Sequence, residues 1–237
     1  MKVVILAGGY GTRLAEYTQR IPKALVKIGE EPILTHIMRI FSSFGFNNFI
    51  IATGYKQELI YDFYKDSIKI QKEFPNLEIV DTGKDTMTGG RILKLKPFFD
   101  ENENFFMTYG DGLCDLDLSK LKKFHINHGK LATVTAVHPP VKFGELEIVK
   151  DKVKKFEEKP QAKAGWINGG FFVLNYKVFD YIKDDSTLFE RQPMEKLVNE
   201  EELMAFKYEG FWKSMDNLRD KIILDKMWHE NKAAWKK

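Results

Sequence analysis

A glycine-rich loop close to the start of the chain holds residues well suited to phosphate chemistry. The segment LAGGYGTRL, residues 6–14, ends on Thr12-Arg13-Leu14, and Lys23 comes soon after it. The backbone amides of such a loop can bind phosphate oxygens, because glycine lets the backbone approach a phosphate closely. Two cations beside these amides suit a triphosphate, whose charge must be neutralised before a nucleophile attacks it. The alternative is an ordinary strand-to-helix turn with solvated basic residues.

Two familiar nucleotide-binding motifs do not describe this loop. A dinucleotide fingerprint requires G-x-G-x-x-G, and Leu14 stands where its third glycine belongs. No lysine follows the glycines at the place where a Walker loop requires one. The missing third glycine argues against a nicotinamide-dependent oxidoreductase. That class stays as an alternative, and an absorbance assay with a nicotinamide cofactor would test it.

Asp111 is a candidate metal ligand because of its place after an apolar segment. Phe105–Thr108 predicts a strand, and Asp111 follows it in the segment Tyr109-Gly110-Asp111-Gly112. Open α/β sheets bind their ligands at the carboxyl ends of strands. Two carboxylates at such a place, together with phosphate oxygens, would suit Mg²⁺, which prefers hard oxygen ligands. An aspartate alone is also common in turns and helix caps, and we interpret Asp115 and Asp117 as cap and surface residues.

The elements that must position these residues predict an α/β fold. In the first half, strands at 3–7, 48–53, 77–81 and 105–109 alternate with helices at 32–41 and 56–73. This order implies a doubly wound, mainly parallel sheet. The second half predicts a smaller, partly antiparallel portion, with a strand at 132–137, a hairpin at 144–160, extended segments at 167–175 and 203–215, and a helix at 217–235. Inward-facing candidates there are Leu146, Ile148, Val153 and Phe156 in the hairpin, and Leu218, Ile222, Leu224 and Trp228 in the helix.

Composition limits the classes of protein that fit. The 237 residues carry a formal net charge of +3, and no block of Lys and Arg indicates a nucleic-acid partner. The single cysteine allows neither an intrachain disulfide nor a thiolate zinc cluster. The apolar run at the N-terminus is too short for a signal peptide or a membrane span. We therefore expect one domain over residues 1–237, no membrane partner and a cytoplasmic location.

Six segments in the same order resemble the nucleotidyltransferases that join a nucleoside triphosphate to a sugar 1-phosphate, and among them the glucose-1-phosphate cytidylyltransferase family. They are LAGGYGTRL, DTGKDTMTGGRI, FMTYGDGLCDLDL, FEEKP, INGGFFVLN and GFWKSMDNLRD. The likeness extends from the first residue almost to the last. It implies a single Rossmann-like nucleotidyltransferase domain over residues 1–237, with CTP and a phosphorylated acceptor as small-molecule partners and Mg²⁺ as cofactor.

The resemblance also implies which residues bind the nucleotide and the metal. The nucleotide-binding residues would be Leu6, Gly8, Gly9, Gly11, Thr12, Arg13, Lys23, Thr88, Gly89, Arg91 and Asp111. Among them, Arg13 and Lys23 are the implied catalytic residues: Arg13 would draw charge from the departing pyrophosphate, and Lys23 would hold the α-phosphate through the transition state. Gly89, Gly90 and Arg91 would lie around the base. Asp111 and Asp216 would share the Mg²⁺ ion.

The acceptor side follows from the same resemblance. The implied acceptor-binding residues are Gly144, Glu158, Lys159, Asn168 and Gly169. Glu158 and Asn168 can hydrogen-bond to sugar hydroxyls, and Lys159 can reach the acceptor phosphate. The structural alternatives are that Glu-Lys-Pro simply ends a strand and that the glycine pair forms a bulge.

The implied reaction is in-line attack of the acceptor phosphate on the α-phosphorus of CTP, with release of pyrophosphate. Glucose 1-phosphate would give CDP-glucose for polysaccharide biosynthesis. The segment Tyr64–Leu77 is shorter than in the family, which leaves open a non-sugar phosphate such as phosphoglutamine, used in capsule biosynthesis. A non-catalytic nucleotide-binding paralogue is a further alternative, which the retention of both cations and both aspartates disfavours. Since relatives form dimers and larger assemblies, we expect a homo-oligomer.

Overall fold

A computed structural model describes residues 1–139, 145–149, 151–157 and 165–236 of the chain. The strands are β1 (Val3–Leu6), β2 (Lys27–Ile28), β3 (Glu31–Pro32), β4 (Asn48–Thr53), β5 (Asn76–Asp81), β6 (Asn104–Tyr109), β7 (Gly112–Cys114), β8 (Ala132–Val137), β9 (Glu145–Val149), β10 (Lys152–Glu157), β11 (Ile167–Asn175), β12 (Leu203–Tyr208) and β13 (Trp212–Ser214). The α-helices are α1 (Ala15–Thr18), α2 (Ile33–Ser42), α3 (Gln57–Asp66), α4 (Ile68–Glu73), α5 (Thr88–Lys94), α6 (Leu118–His128), α7 (Gln192–Asn199) and α8 (Leu218–His229).

A seven-stranded sheet runs through the molecule in the order β12-β8-β11-β6-β1-β4-β5. β1 pairs in parallel with β4 and β6, and β5 continues the parallel arrangement beyond β4. β11 is antiparallel to both β6 and β8, while β12 pairs in parallel with β8. The predicted fold class, mainly parallel with a partly antiparallel second half, is therefore confirmed.

Both faces of the sheet are covered, as the alternation along β1 shows. Val3 and Ile5 belong to an apolar cluster that includes residues of α2, α3, α6 and α8. Val4 and Leu6 point to the opposite cluster, which includes residues of α5 and α7. Successive side chains of a strand point to opposite faces, so an all-apolar strand requires helices on both sides. β1 is thus an interior strand of the sheet, between β6 and β4, and its carboxyl end leads directly into the glycine-rich loop.

The helix predicted over 56–73 is divided into two. Ser67 has an extended conformation between α3 and α4, and its Oγ accepts a hydrogen bond from the amide of Ile70 at 3.4 Å. Serine at such a position caps the next helix. The apolar periodicity therefore continues through residue 67 although the helical conformation is interrupted there. On α4, Ile70 is buried in the core. The short connection between Tyr64 and Leu77 is accordingly a packed part of the domain.

Two predictions about apolar residues were wrong. Ile222 is 56% exposed whereas Leu224 is buried, because residues two apart on a helix cannot face the same side. Val153 is 54% exposed, because β9 and β10 pair with each other in a separate two-stranded sheet. The helix predicted over 217–235 ends at His229. Within the described residues, no helix has the length and apolar character needed to cross a membrane.

Candidate active site

A cleft of about 760 Å³ opens at the carboxyl ends of the parallel strands β1 and β6. Its volume is typical of small-molecule sites, which lie at this edge of open α/β sheets. The sequence-predicted residues that line it are Leu6, Gly8, Gly9, Gly11, Thr12, Arg13, Lys23, Thr88, Arg91, Asp111, Asn168, Gly169 and Asp216. Gly144, Glu158 and Lys159 lie outside the described residues. The chain therefore gathers most of the predicted site residues around one cavity.

The glycine loop turns sharply at Gly11. This residue has the left-handed conformation, with φ 63°, and a Cβ there would lie 2.8 Å from Cγ2 of Thr18. The hydroxyl of Thr18 donates a hydrogen bond to the carbonyl oxygen of Gly11 at 3.0 Å. After the turn, Thr12–Leu14 form one turn of 3-10 helix, in which the side chain of Arg13 is 77% exposed. The tight turn thus leaves Arg13 at the mouth of the cleft.

Arg91 holds the glycine loop to the neighbouring strands. Its Nη2 donates to the carbonyl oxygen of Gly8 at 2.9 Å, and its Nη1 donates to the carbonyl oxygens of Thr53 and Gly83 at 2.9 and 2.7 Å. A Cβ on Gly8 would lie 2.2 Å from Nη1 of Arg91, and one on Gly54 would lie 2.4 Å from it. Both glycines therefore make room for this guanidinium. Arg91 joins the loops that follow β1, β4 and β5, while its predicted contact with the base stays a prediction.

Gly89 takes a different place from the rest of the predicted nucleotide-binding set. Its amide donates a hydrogen bond to the carbonyl oxygen of Thr187 at 2.9 Å, and it does not line the cleft. A Cβ on Gly89 would lie 2.7 Å from that same oxygen. The glycine at this position is explained by close packing of α5 on the segment around Thr187. The adjacent Thr88 does line the cleft, and its hydroxyl donates to Glu190 at 2.6 Å.

A short antiparallel ribbon brings Asp111 and Asp216 together. Asp111 directly precedes β7, and one residue separates Asp216 from the end of β13. The strand register pairs Gly112 with Ser214. The amide of Met215 donates a hydrogen bond to the carbonyl oxygen of Asp111 at 2.9 Å, which extends the ribbon by one step. Two residues that are far apart in the chain are therefore held side by side at the floor of the cleft.

The cations of the glycine-loop region lie against these carboxylates. Lys23 Nζ is 2.6 Å from Oδ2 of Asp111 and 3.4 Å from Oδ1 of Asp216, and Nη2 of Arg13 is 3.6 Å from the same Oδ1. Burial acts to raise the pKa of Asp216. The charges of Lys23 and Arg13 and the hydroxyl of Ser214 outweigh it, so the pKa is lowered from its ordinary value. Asp216 is therefore held as an anion, ready to bind cationic groups.

Residues 2–222 match the nucleotidyl transferase family. The chain belongs to this family. Over its whole length it is 44% identical to the glucose-1-phosphate cytidylyltransferase of Salmonella typhi, and the match covers 99% of that protein. A second relative, mannose-1-phosphate guanyltransferase 2 of Candida glabrata, is 34% identical over 93% of this chain and 62% of its own length. The fold is also that of HddC from Yersinia pseudotuberculosis complexed with GMP-PN, with TM-score 0.75, 24% identity, and coverage of 96% and 99% of the two chains.

The start of β11 holds Asn168 and Gly169, whose role in binding the acceptor stays a prediction. Oδ1 of Asn168 accepts a hydrogen bond from the amide of Gly170 at 2.8 Å, and the indole of Trp212 donates to the carbonyl oxygen of Gly169 at 2.7 Å. Gly170 has φ 77°, and a Cβ there would lie 2.7 Å from the ring of Tyr109. This turn places Asn168 and Gly169 in the cleft beside Tyr109.

Sequence reasoning missed several residues that organise the site. Tyr109 and Trp212 line the cleft, and the hydroxyl of Tyr109 donates to Glu190 at 2.5 Å. Burial, followed by the charge of Glu190 and its hydrogen bond, raises the pKa of Tyr109. Since Glu190 also accepts from Thr88, one carboxylate connects the start of α5 with the end of β6 at the cleft. Tyr109 and Trp212 stand inside segments that carried the family resemblance, which was the signal available for them.

Asp220 supports Asp216 from the start of α8. One oxygen of Asp220 lies 2.7 Å from Lys213 Nζ, and the other accepts a hydrogen bond from the amide of Asp216 at 3.2 Å. The side chain of Asn217 in turn caps α8 by accepting from the amide of Asp220 at 3.0 Å. An asparagine followed three residues later by an acidic residue resembles a capping box, a signal that the sequence contained.

Proposed function

We propose that this protein transfers a cytidylyl group from CTP to glucose 1-phosphate, releasing pyrophosphate and forming CDP-glucose. The observation that carries the proposal is the meeting of Lys23 and Arg13 with Asp111 and Asp216 at one cleft. A nucleotidyl transfer needs cations for the phosphates and carboxylates for a metal. The choice of cytosine and of glucose 1-phosphate rests on the 44% identity to the Salmonella relative.

The transfer needs no covalent bond to the protein. An oxygen of the acceptor phosphate attacks the α-phosphorus of CTP, the bond from that phosphorus to the bridging oxygen of the β-phosphate breaks, and pyrophosphate leaves with the bonding electrons. The protein therefore contributes positioning and charge stabilisation. The amides of the glycine loop and the exposed Arg13 would hold the triphosphate. Lys23, a point charge on a flexible stem, would follow the α-phosphate as its geometry changes.

The carboxylate pair fits a Mg²⁺ ion. Two aspartate oxygens are hard ligands, and Mg²⁺ is commonly held by one or two carboxylates together with substrate phosphates and water. No group of three or more metal-binding side chains occurs in the part of the chain that the structure describes, so phosphate and water would complete the coordination. When bound, the metal would neutralise charge on the phosphates as the nucleotide reacts. Asp111 and Asp216 would hold it, and Asp220 would keep Asp216 oriented.

Pyrophosphate release tests the proposed activity. The assay uses each of the four common nucleoside triphosphates with Mg²⁺ and glucose 1-phosphate, and then CTP with other phosphorylated acceptors, including phosphoglutamine. We expect turnover with CTP and glucose 1-phosphate. Turnover with CTP and only a non-sugar phosphate would keep the cytidylyl transfer and overturn the acceptor. Nucleotide binding without pyrophosphate release for any acceptor tested would favour a non-catalytic paralogue.

A further inference from the structure

Lys23 occupies the position from which it contacts both carboxylates of the candidate metal site. Its Nζ lies 2.6 Å from Oδ2 of Asp111 and 3.4 Å from Oδ1 of Asp216, and its side chain is only 16% exposed. Two carboxylates held this close repel each other unless a cation neutralises them. Within the described structure, Lys23 supplies most of that neutralisation, because Arg13 is farther from Asp216 and far more exposed.

A divalent cation held by this pair would bind the same two carboxylates that Lys23 contacts. Mg²⁺ binds carboxylate oxygens at about 2.0–2.1 Å, whereas the ammonium of Lys23 is already in hydrogen-bond contact with Oδ2 of Asp111. Like charges at such separations repel strongly in a partly buried site. The ammonium and the metal therefore compete for Asp111 and Asp216.

The side chain of Lys23 also starts close to the glycine loop. Lys23 begins a single 3-10 turn, Lys23–Leu25, and a Cβ on Gly11 would lie 3.1 Å from the Cβ of Lys23. The base of the side chain thus runs beside the loop proposed to hold the triphosphate. Rotation about the four-carbon stem is sufficient to redirect the ammonium, without movement of the backbone.

We propose that Lys23 alternates between two partners, serving as the internal counter-ion of Asp111 and Asp216 until the nucleotide phosphates draw it away. The inference rests on the proposed function for the identity of the nucleotide. Phosphate binding to Lys23 would release the carboxylate oxygens for the metal, and metal binding would release Lys23 for the phosphate. Nucleotide and metal would therefore favour each other's binding through this one side chain, and linkage requires the coupling to be reciprocal.

The first measurement is Mn²⁺ binding in the absence of nucleotide. The electron paramagnetic resonance signal of free Mn²⁺ reports how much of the ion is bound. We expect Lys23→Met to bind Mn²⁺ at least about tenfold more tightly than the wild type, because a competing charge has gone. Lys84→Met is the matched control, since Lys84 lines the same cleft but makes no ion pair with either aspartate in the described structure. It should change Mn²⁺ affinity by less than about threefold, and Arg13→Met should lie between the two.

The second measurement is CTP binding in EDTA, by calorimetry on the same variants. Lys23→Met should bind CTP at least about tenfold more weakly than the wild type, since a charged hydrogen bond to phosphate is lost. Tighter Mn²⁺ binding together with weaker CTP binding in one variant identifies an exchange of partners, because general damage to the site would weaken the binding of both ligands. Circular dichroism checks that each variant folds. If Lys23→Met does not fold, Lys23→Gln replaces it in both measurements, because glutamine keeps a hydrogen-bond donor for Asp111.

Equal or weaker Mn²⁺ binding by the Lys23 variants would overturn the inference, as would unchanged CTP binding in EDTA. Neither measurement depends on turnover. If pyrophosphate release fails for every acceptor but the opposite changes are seen, the exchange stands and the proposed reaction falls. If turnover is found and Mn²⁺ affinity does not rise, the reaction stands and the exchange falls.

Discussion

The two sides of the cleft are built in different ways. The glycine-loop side, residues 6–14, is one continuous stretch that leaves the sheet at the end of β1. The carboxylate side, Asp111 and Asp216, comes from two distant segments that meet only because β7 and β13 pair in one register. The glycine loop is a local motif that is held in place by hydrogen bonds from Arg91. The carboxylate pair depends on the register of β7 with β13 and on the hydrogen bond between Asp220 and the amide of Asp216. Lys23 connects the two.

The largest effect should come from the carboxylate side. Asp111→Asn and Asp216→Asn should each lower turnover at least about a hundredfold at fixed metal, because each removes a charged ligand of the proposed metal site. Steady-state pyrophosphate release measures this. Asp117→Asn is the control, since Asp117 caps α6 and asparagine is an equally good cap. Near-normal turnover in both site variants at saturating metal would remove the metal role from the pair.

On the glycine-loop side, substitution should act through packing on Arg91. Gly8→Ala introduces a Cβ 2.2 Å from Nη1 of Arg91, while nothing lies within 4 Å of a Cβ on Gly9. We expect Gly8→Ala to lower the free energy of unfolding by about 1–3 kcal/mol, as overpacking does, and Gly9→Ala to leave it nearly unchanged. Thermal and urea unfolding of the matched pair decide the point. Equal stability of the two variants would show that Arg91 moves away without cost.

Asp220→Asn should have a smaller effect, confined to the carboxylate side. Loss of the charge weakens the contact with Lys213 and loosens the orientation of Asp216. We expect kcat to fall about tenfold, as for a misplaced reacting group, with little change in CTP affinity measured in EDTA. An equal loss of CTP affinity would indicate that the disturbance spreads to the glycine loop, and the two sides would not be separable.

A further effect, seen only in acid, concerns the stability of α6 and β8. His125 is buried on α6 with Nδ1 2.9 Å from the hydroxyl of Thr133 on β8, and burial and then His128 lower its pKa to about 4. A lowered histidine pKa means that stability is fully present above the unfolded pKa of about 6.5 and declines as pH falls toward 4. The decline should be at most about 1.4 kcal/mol per pH unit. Hydrogen exchange at pH 5 should rise in α6 and β8 before β1 and β4, and His125→Gln should remove this difference.

Much of the fold could be predicted from local patterns. The apolar runs that became β4 and β6 indicate buried strands in their own right, and the extended segment predicted over 167–175 forms β11 with the same bounds. Predictions failed where a single capping residue or the position of a strand outside the main sheet decided the outcome. Ser67 divides a continuous helical pattern, and Val153 is exposed on β10, which pairs with β9 in a separate two-stranded sheet.

The sequence by itself determined the residue types of the cleft and the doubly wound order of the elements, because apolar periodicity and glycine-rich turns act over a few neighbouring residues. Only the tertiary structure decided which charges meet. The register of β7 on β13 places Asp216 beside Asp111, and the packing of α5 directs Arg91 toward the carbonyl oxygens of three loops. Such contacts depend on distances between segments far apart in the chain, and they are set by the pairing of strands and the packing of helices on them.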